Sequence, residues 1–421
     1  MNTYLICLAV AMIGGLMLSR VTKLLNLPAV TAYLVAGLLL GPFLLGALGL
    51  PGLGFNSQEQ VEHLNVITQT ALGFIAFTMG NEFRLKQLKT FGAAAICIGA
   101  GQAVITTLLV DAILIGVHFA FPQLLSLPSA LILGAIASAT APAATLMVVR
   151  QYKADGPLTR LLMLVVAIDD AVGLLLFAVS FGIASALSNG QVSVVAVVVE
   201  PLLEIVLSLG LGGLMGLAMH YVEKFFHSRS KRLTISVAFV LLAVSLSSVK
   251  FTLGGIHCGF SLLLVCMMTG TVFCNICPTS EELMERVERW TVPLNVLFFV
   301  ISGAELDLNV LLQPATLIVG VVYILARSMG KYIGANASCH LTHQSKPITR
   351  HLGITLLPQA GVALGMSVTV AAQFGEAGAI IRNIVLFSVL IYELVGPIMT
   401  KWALTKAGDI RPKPSIKRDN V

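Results

Sequence analysis

The chain has 421 residues, 57% of them hydrophobic and 11% charged, with a formal net charge of +6. A soluble domain carries charge on roughly a quarter of its residues, so most of this chain must be solvated by lipid. A soluble enzyme is excluded, and so is a nucleic-acid-binding module, because no basic, aromatic-interleaved soluble patch accompanies the positive charge.

An apolar stretch of ~20 residues spans a hydrocarbon core of ~30 Å as a helix. Taken in chain order, such stretches predict about thirteen helices: roughly 2–19, 25–49, 64–80, 90–117, 128–149, 161–187, 192–222, 235–249, 251–275, 290–304, 315–337, 351–373 and 383–400. Strands are not expected, since no ten-residue alternating pattern repeats. The first apolar segment has no basic flank and no small-residue cleavage site, so it reads as a mature helix and not as a removable signal. One all-α integral membrane domain is expected over 1–404, followed by a basic tail at 405–421.

Lys and Arg accumulate in cytoplasmic loops, which gives an independent check. With the amino terminus outside, 22 of the 26 fall on the cytoplasmic side, from Arg20 and Lys23 to the tail residues that begin with Lys401. Lys250 and Arg382 fall outside, and Arg327 and Lys331 fall within a predicted span. The expectation is a multi-pass protein of a bacterial-type inner (plasma) membrane with a cytoplasmic carboxyl terminus. Cys274 and Cys277 sit where a helix meets the cytoplasm, without a second pair or a His pair nearby, and read as structural.

Two distant segments share a pattern. Gly80-Asn81-Glu82-Phe83-Arg84-Leu85 and Gly303-Ala304-Glu305-Leu306-Asp307-Leu308 both read Gly-x-Glu-apolar-x-Leu after a Phe-containing helix, 223 residues apart and on opposite sides of the membrane. Pro142 and Pro358 each interrupt a charge-free helix, 216 residues apart. Inverted repeats whose interrupted helices cross near the midplane are a common plan of secondary transporters.

Within this apolar frame a few charges stand out. Asp169 and Asp170 follow Arg160 by about ten residues, ~15 Å along a helix, which places them near the bilayer centre. An acidic residue there costs ~2.5–3.5 kcal/mol on insertion scales, so a pair without a role is not expected. Adjacent helical residues point ~100° apart, which lets one carboxylate face a partner and the other an ion path. Arg327 and Lys331, four residues apart on one helix face, are both candidate counter-charges. Asp111, Glu200 and Glu204 read as structural or interfacial, whereas Glu393 lies deeper. Around Pro142, the hydroxyls of Ser138 and Thr140 and freed backbone carbonyls are hard oxygen donors, so this break and Asp170 together could hold Na+ or Li+.

With these residues in view, the chain resembles the monovalent cation:proton antiporter-2 branch of the cation:proton antiporter superfamily. The resemblance rests on Leu25-Asn26-Leu27-Pro28-Ala29-Val30-Thr31-Ala32-Tyr33-Leu34-Val35-Ala36-Gly37 and its continuation to Pro42, and on the Gly-x-Glu segment. The Thr140–Ala143 break, the Asp-Asp helix, the basic helix and Pro358-Gln359-Ala360-Gly361 follow in the family's order. It implies an inverted-repeat Na+/H+ antiporter fold of thirteen helices in which two broken helices, marked by Pro142, Pro358 and Gly361, cross beside the Asp-Asp helix. It also implies a core (64–187 and 290–402), a dimerisation bundle (2–49 and 192–275) and a homodimer in the bilayer. By the same resemblance the protein is no enzyme and takes no cofactor; it exchanges Na+, or Li+ or K+, for H+ by alternating access. Asp170 would carry cation or proton, Asp169 would pair with a basic residue, and Thr140 would line the site. Ala141 and Ile168 replace polar residues found there in many relatives, so fewer ligands are visible.

Pairing of Asp169 with Lys331 would permit electrogenic exchange, and pairing with Arg327 would favour one-for-one exchange; the electrogenic form is expected. The competing readings are a K+/H+ antiporter and a passive cation channel or uniporter, the latter disfavoured by the absence of a repeated filter loop.

Overall fold

A computed structural model describes residues 2–24, 29–50, 53–85, 92–141, 145, 148–149, 152–188, 199–253, 256–311 and 313–410. Pro142, Leu25–Pro28 and most of the basic tail lie outside the described residues, as do the side chains of Glu82 and Asp170.

Among the described residues there are fifteen helices. In order they are α1 Asn2–Leu24, α2 Ala29–Leu40, α3 Gln58–Glu62, α4 Asn65–Met79, α5 Ala93–Ala120, α6 Leu127–Ala137, α7 Pro157–Ser188 and α8 Glu200–Glu223. There follow α9 Arg229–Ser247, α10 Leu262–Ile276, α11 Ser280–Ala304, α12 Leu308–Leu311, α13 Pro314–Leu341, α14 Lys346–Thr355 and α15 Gly361–Ala407. Among the described residues, seven helical segments are long and apolar enough to cross a membrane, and α4, α6 and α10 are shorter apolar helices. At 1.5 Å per residue, the 11-residue α6 covers only about half of a ~30 Å hydrocarbon core. The reason is a break, described below.

Three departures from the sequence reading have local causes. The span expected over 251–275 opens instead with a hairpin, β1 Phe251–Leu253 paired antiparallel to β2 Ile256–Cys258; α10 starts at Leu262, where the Ser261 hydroxyl accepts from the Leu264 amide at 3.5 Å. Aromatic and β-branched residues flanking a Gly-Gly pair are a hairpin signal that the apolar run had concealed. Second, α11 starts ten residues before the apolar stretch at 290. Its polar first turns are laced by Glu282–Arg286 and Glu285–Arg289 pairs at 2.9 and 2.5 Å, the i,i+4 spacing that supports an exposed helix. Third, the two expected last spans are two helices that abut without a loop inside α15, divided at Gly375, with φ 55° and ψ −128°, a backbone state in which glycine alone avoids a steric cost.

The helices pack as two groups. One comprises α5, α6, α7, α13, α14 and α15, and the other α1, α2, α4, α8, α9, α10 and α11. The expected division had placed 64–80 and 290–304 with the core; the packing instead joins α4 to α10 and α11 to both α2 and α4. Glycines explain this. A Cβ on Gly303 would run into the backbone oxygen of Leu34, one on Gly37 into that of Val300, one on Gly80 into that of Met267, and one on Gly270 into that of Phe77. Both copies of the Gly-x-Glu repeat therefore begin at a glycine that lets two backbones touch, as small residues do between membrane helices. Gly303→Val should push α11 off α2 and lower stability by at least ~1–3 kcal/mol, the usual cost of overpacking; thermal unfolding of the detergent-solubilised protein would read this as a reduced midpoint.

Candidate functional site

The α6 helix ends at Ala137, and Ser138–Ala141 leave the helical path. On the other side, α14 ends at Thr355 and residues 356–360 run non-helically into α15. Pro358 has no amide hydrogen and clashes with a helical predecessor, which is a sufficient local cause for the second break. The two breaks touch. The Ala141 amide donates to the Pro358 carbonyl at 2.9 Å, the Gln359 side-chain amide donates to the Ile136 carbonyl at 3.1 Å, and the Thr140 hydroxyl oxygen lies 3.4 Å from the Leu356 carbonyl oxygen. Ala141 and Ala360 lie buried together there, with Val30 of α2 packed on them. Gly361 begins α15 just beyond.

Helix carboxyl ends leave carbonyls without partners and concentrate negative partial charge. In this fold one side chain of α13 answers both ends. Arg327 Nε donates to the Ala137 carbonyl at 3.0 Å, Nη2 to Ala139 at 2.7 Å, and Nη1 to Leu357 at 2.7 Å. Its guanidinium also stacks 4.4 Å from the Tyr392 ring centre, and it is 0% exposed. The planar fork of Arg is what allows one residue to serve three acceptors at once.

One turn further along α13, Lys331 takes a different partner. Its Nζ lies 2.8 Å from Asp169 Oδ2, 2.8 Å from Thr140 Oγ1 and 3.2 Å from Gln102 Oε1, and it donates to the Ser138 carbonyl as well. Asp169 also accepts from the Thr140 hydroxyl and from the Gln102 side-chain amide. Asp169, Lys331 and Gln102 are each 0% exposed. A buried pair is tolerable only when its remaining donors and acceptors are satisfied, and Thr140 and Gln102 supply that satisfaction.

The structure thus brings Asp169, Lys331 and Thr140 together and puts Arg327 at the helix crossing, away from Asp169. Ser138 contributes its carbonyl; its hydroxyl turns back to the Ala135 carbonyl at 2.7 Å. Asp170 follows Asp169 on α7. Pro142 lies outside the described residues, and Pro358 forms the second break. Glu393 is 0% exposed, and neither of its carboxylate oxygens has a hydrogen-bond partner among the described residues. Gln102 had not been singled out from sequence. Its signal was faint: one amide side chain in a locally apolar, glycine-rich stretch, Gly99-Ala100-Gly101-Gln102-Ala103.

Comparison with curated proteins finds no match. Two solved structures of the sodium proton antiporter MjNhaP1 from Methanocaldococcus jannaschii superpose on the chain. One, at pH 8, has a TM-score of 0.72 at 19% identity and covers 96% of this chain and 97% of that one. The other, from an electron-microscopy map, has a TM-score of 0.68 at 19% identity and covers 96% and 98%. At that identity the likeness establishes the fold. A family model described as sodium/hydrogen exchanger, transmembrane, matches residues 8–406. Matched over nearly its whole length, the chain belongs to the sodium/hydrogen exchanger family of cation:proton antiporters.

Proposed function

We propose that this protein is a secondary active antiporter that exchanges a monovalent cation, Na+ or Li+, for H+ by alternating access, with Asp169 and Asp170 as its site. The observation that carries this reading is the buried Lys331–Asp169 pair at 2.8 Å beside the crossing of two broken helices. Asp169 is saturated by Lys331, Thr140 and Gln102, and Asp170 is its immediate neighbour on α7. That leaves Asp170 as the carboxylate for which cation and proton compete. An empty, charged carboxylate is penalised in a dry interior, so the group of helices that holds it moves only when the carboxylate is loaded. The proposed setting is a homodimer in a plasma membrane, with the basic loops cytoplasmic and no cofactor.

In proteoliposomes with an acidic interior, Na+ or Li+ added outside should dequench a pH-sensitive dye, and K+ should do so less. A response to K+ alone would replace this reading with K+/H+ exchange, and cation efflux without proton counterflow would replace it with a channel.

Electrogenicity follows from the identity of the counter-charge. A Lys can release its proton when a cation binds at the carboxylate beside its partner, whereas Arg stays charged at any working pH. Lys331 would therefore add a second proton per cycle, and the resulting net charge movement is driven by ~2.3 kcal/mol per 100 mV. Lys331→Arg should keep the pair but make exchange insensitive to an imposed valinomycin potential. Equal voltage dependence in wild type and Lys331→Arg would remove Lys331 from the proton path.

A further inference from the structure

We propose that Glu305 and Arg382 form a latch across the seam between the two helix groups, one that holds the groups in the arrangement seen here and opens in each transport cycle. The proposal rests on the antiport reading insofar as one helix group must move against the other.

Glu305 belongs to the group that contains α2 and α11. It closes α11, its amide donating to the Ile301 carbonyl at 3.0 Å, two residues after the glycine whose Cβ would strike the Leu34 backbone. Backbones packed this closely cannot slide past one another without breaking that contact, so Glu305 is fixed to α2. Its carbonyl also accepts from the Gln58 side chain of α3 at 3.5 Å. Arg382 belongs to the other group. It lies on α15, two turns beyond the Gly375 bend.

The two side chains form an ion pair through Arg382 Nη2 and Glu305 Oε2, and their exposures are only 14% and 6%. The next residue of α15 repeats the connection, because Asn383 Oδ1 accepts from the amide of Asp307, two residues after Glu305, at 2.9 Å. Two successive positions of α15 thus hold the segment that follows α11. They line a cavity of about 550 Å³, together with Glu62 and Glu376. The latch lies at the opposite end of α11 from Arg286 and Arg289, hence on the face away from the basic loops. Any displacement of α15 along α11 breaks both links at once, because α11 cannot follow it.

The test places thiols at the two ends of the latch. Of the described cysteines only Cys97 is exposed, so Glu305→Cys and Arg382→Cys are combined in a Cys97→Ser background and joined by a cleavable bifunctional thiol reagent. The expected result is a loss of at least ~10-fold in cation/proton exchange on linking, reversed on cleavage of the linker. Full exchange in quantitatively linked protein would overturn the latch. A second arm needs no transport: in Arg382→Gln, amide hydrogen exchange over 305–308 and 379–384 should rise at least ~10-fold while the rest of α11 and α15 is unchanged, as expected for a local opening. Unchanged exchange at both segments would also overturn it. If the unlinked protein showed no cation/proton exchange, the antiport reading would fail, and the hydrogen-exchange arm would still decide the latch.

Discussion

Asp170→Asn should abolish cation-driven proton release from proteoliposomes, with a loss of at least ~100-fold, while the protein stays folded. The argument compares two neighbours. Asp169 is tied to Lys331, Thr140 and Gln102, and removing its charge takes this carboxylate from an ammonium that is 0% exposed. Breaking a buried pair in this way costs ~3–5 kcal/mol, so Asp169→Asn should lower the thermal midpoint markedly. Asp170→Asn leaves that pair in place. An amide can neither bind a proton at working pH nor offer a full charge to a bare Na+, so loading fails while the scaffold persists. The two variants therefore separate a transport defect from a folding defect. Retained exchange in Asp170→Asn, measured with the same dye and the same gradient, would remove Asp170 from the site.

Arg327→Met is expected to have the second large effect, this time on stability first. The guanidinium satisfies carbonyls of Ala137, Ala139 and Leu357, and a methionine of similar length satisfies none of them. Each buried acceptor left without a donor costs ~1–3 kcal/mol, which gives a loss of at least ~2 kcal/mol even if one carbonyl finds a substitute. Arg327→Lys should fall between wild type and Arg327→Met, because a single ammonium cannot span acceptors on both breaks. Thermal unfolding in detergent reads the order of the three proteins. A wild-type midpoint in Arg327→Met would show that the crossing holds without its cationic bridge.

Arg327 and Lys331 look interchangeable in sequence, one turn apart on one face and each followed by two residues and a glycine. Their work in the fold is different. Arg327 holds the two broken helices together, and so frees Lys331 to be the partner of Asp169. A chain with only one of the two cations at this crossing would have to divide a single charge between a structural demand and an exchangeable one.

Much of this protein was legible before any fold. Lipid offers no hydrogen bonds, so each spanning segment must satisfy its backbone within itself. Apolar length and the placement of Lys and Arg therefore expose the spans, the repeat of Gly80 and Gly303, the break at Pro358 and the Asp-Asp helix one segment at a time. Family membership follows from the same local motifs in their order. What only the tertiary structure decided are the matters that depend on which distant atoms meet. Asp169 chooses Lys331 across 162 residues, Arg327 reaches Ala137 across 190, and Gln102 enters the cluster from a locally apolar stretch of α5. The seam between Glu305 and Arg382, and the grouping of α4 with α10, likewise depend on how closely backbones approach. Hydropathy is a property of a segment, whereas the pairing of charges is a property of the space between segments, and packing alone sets that space.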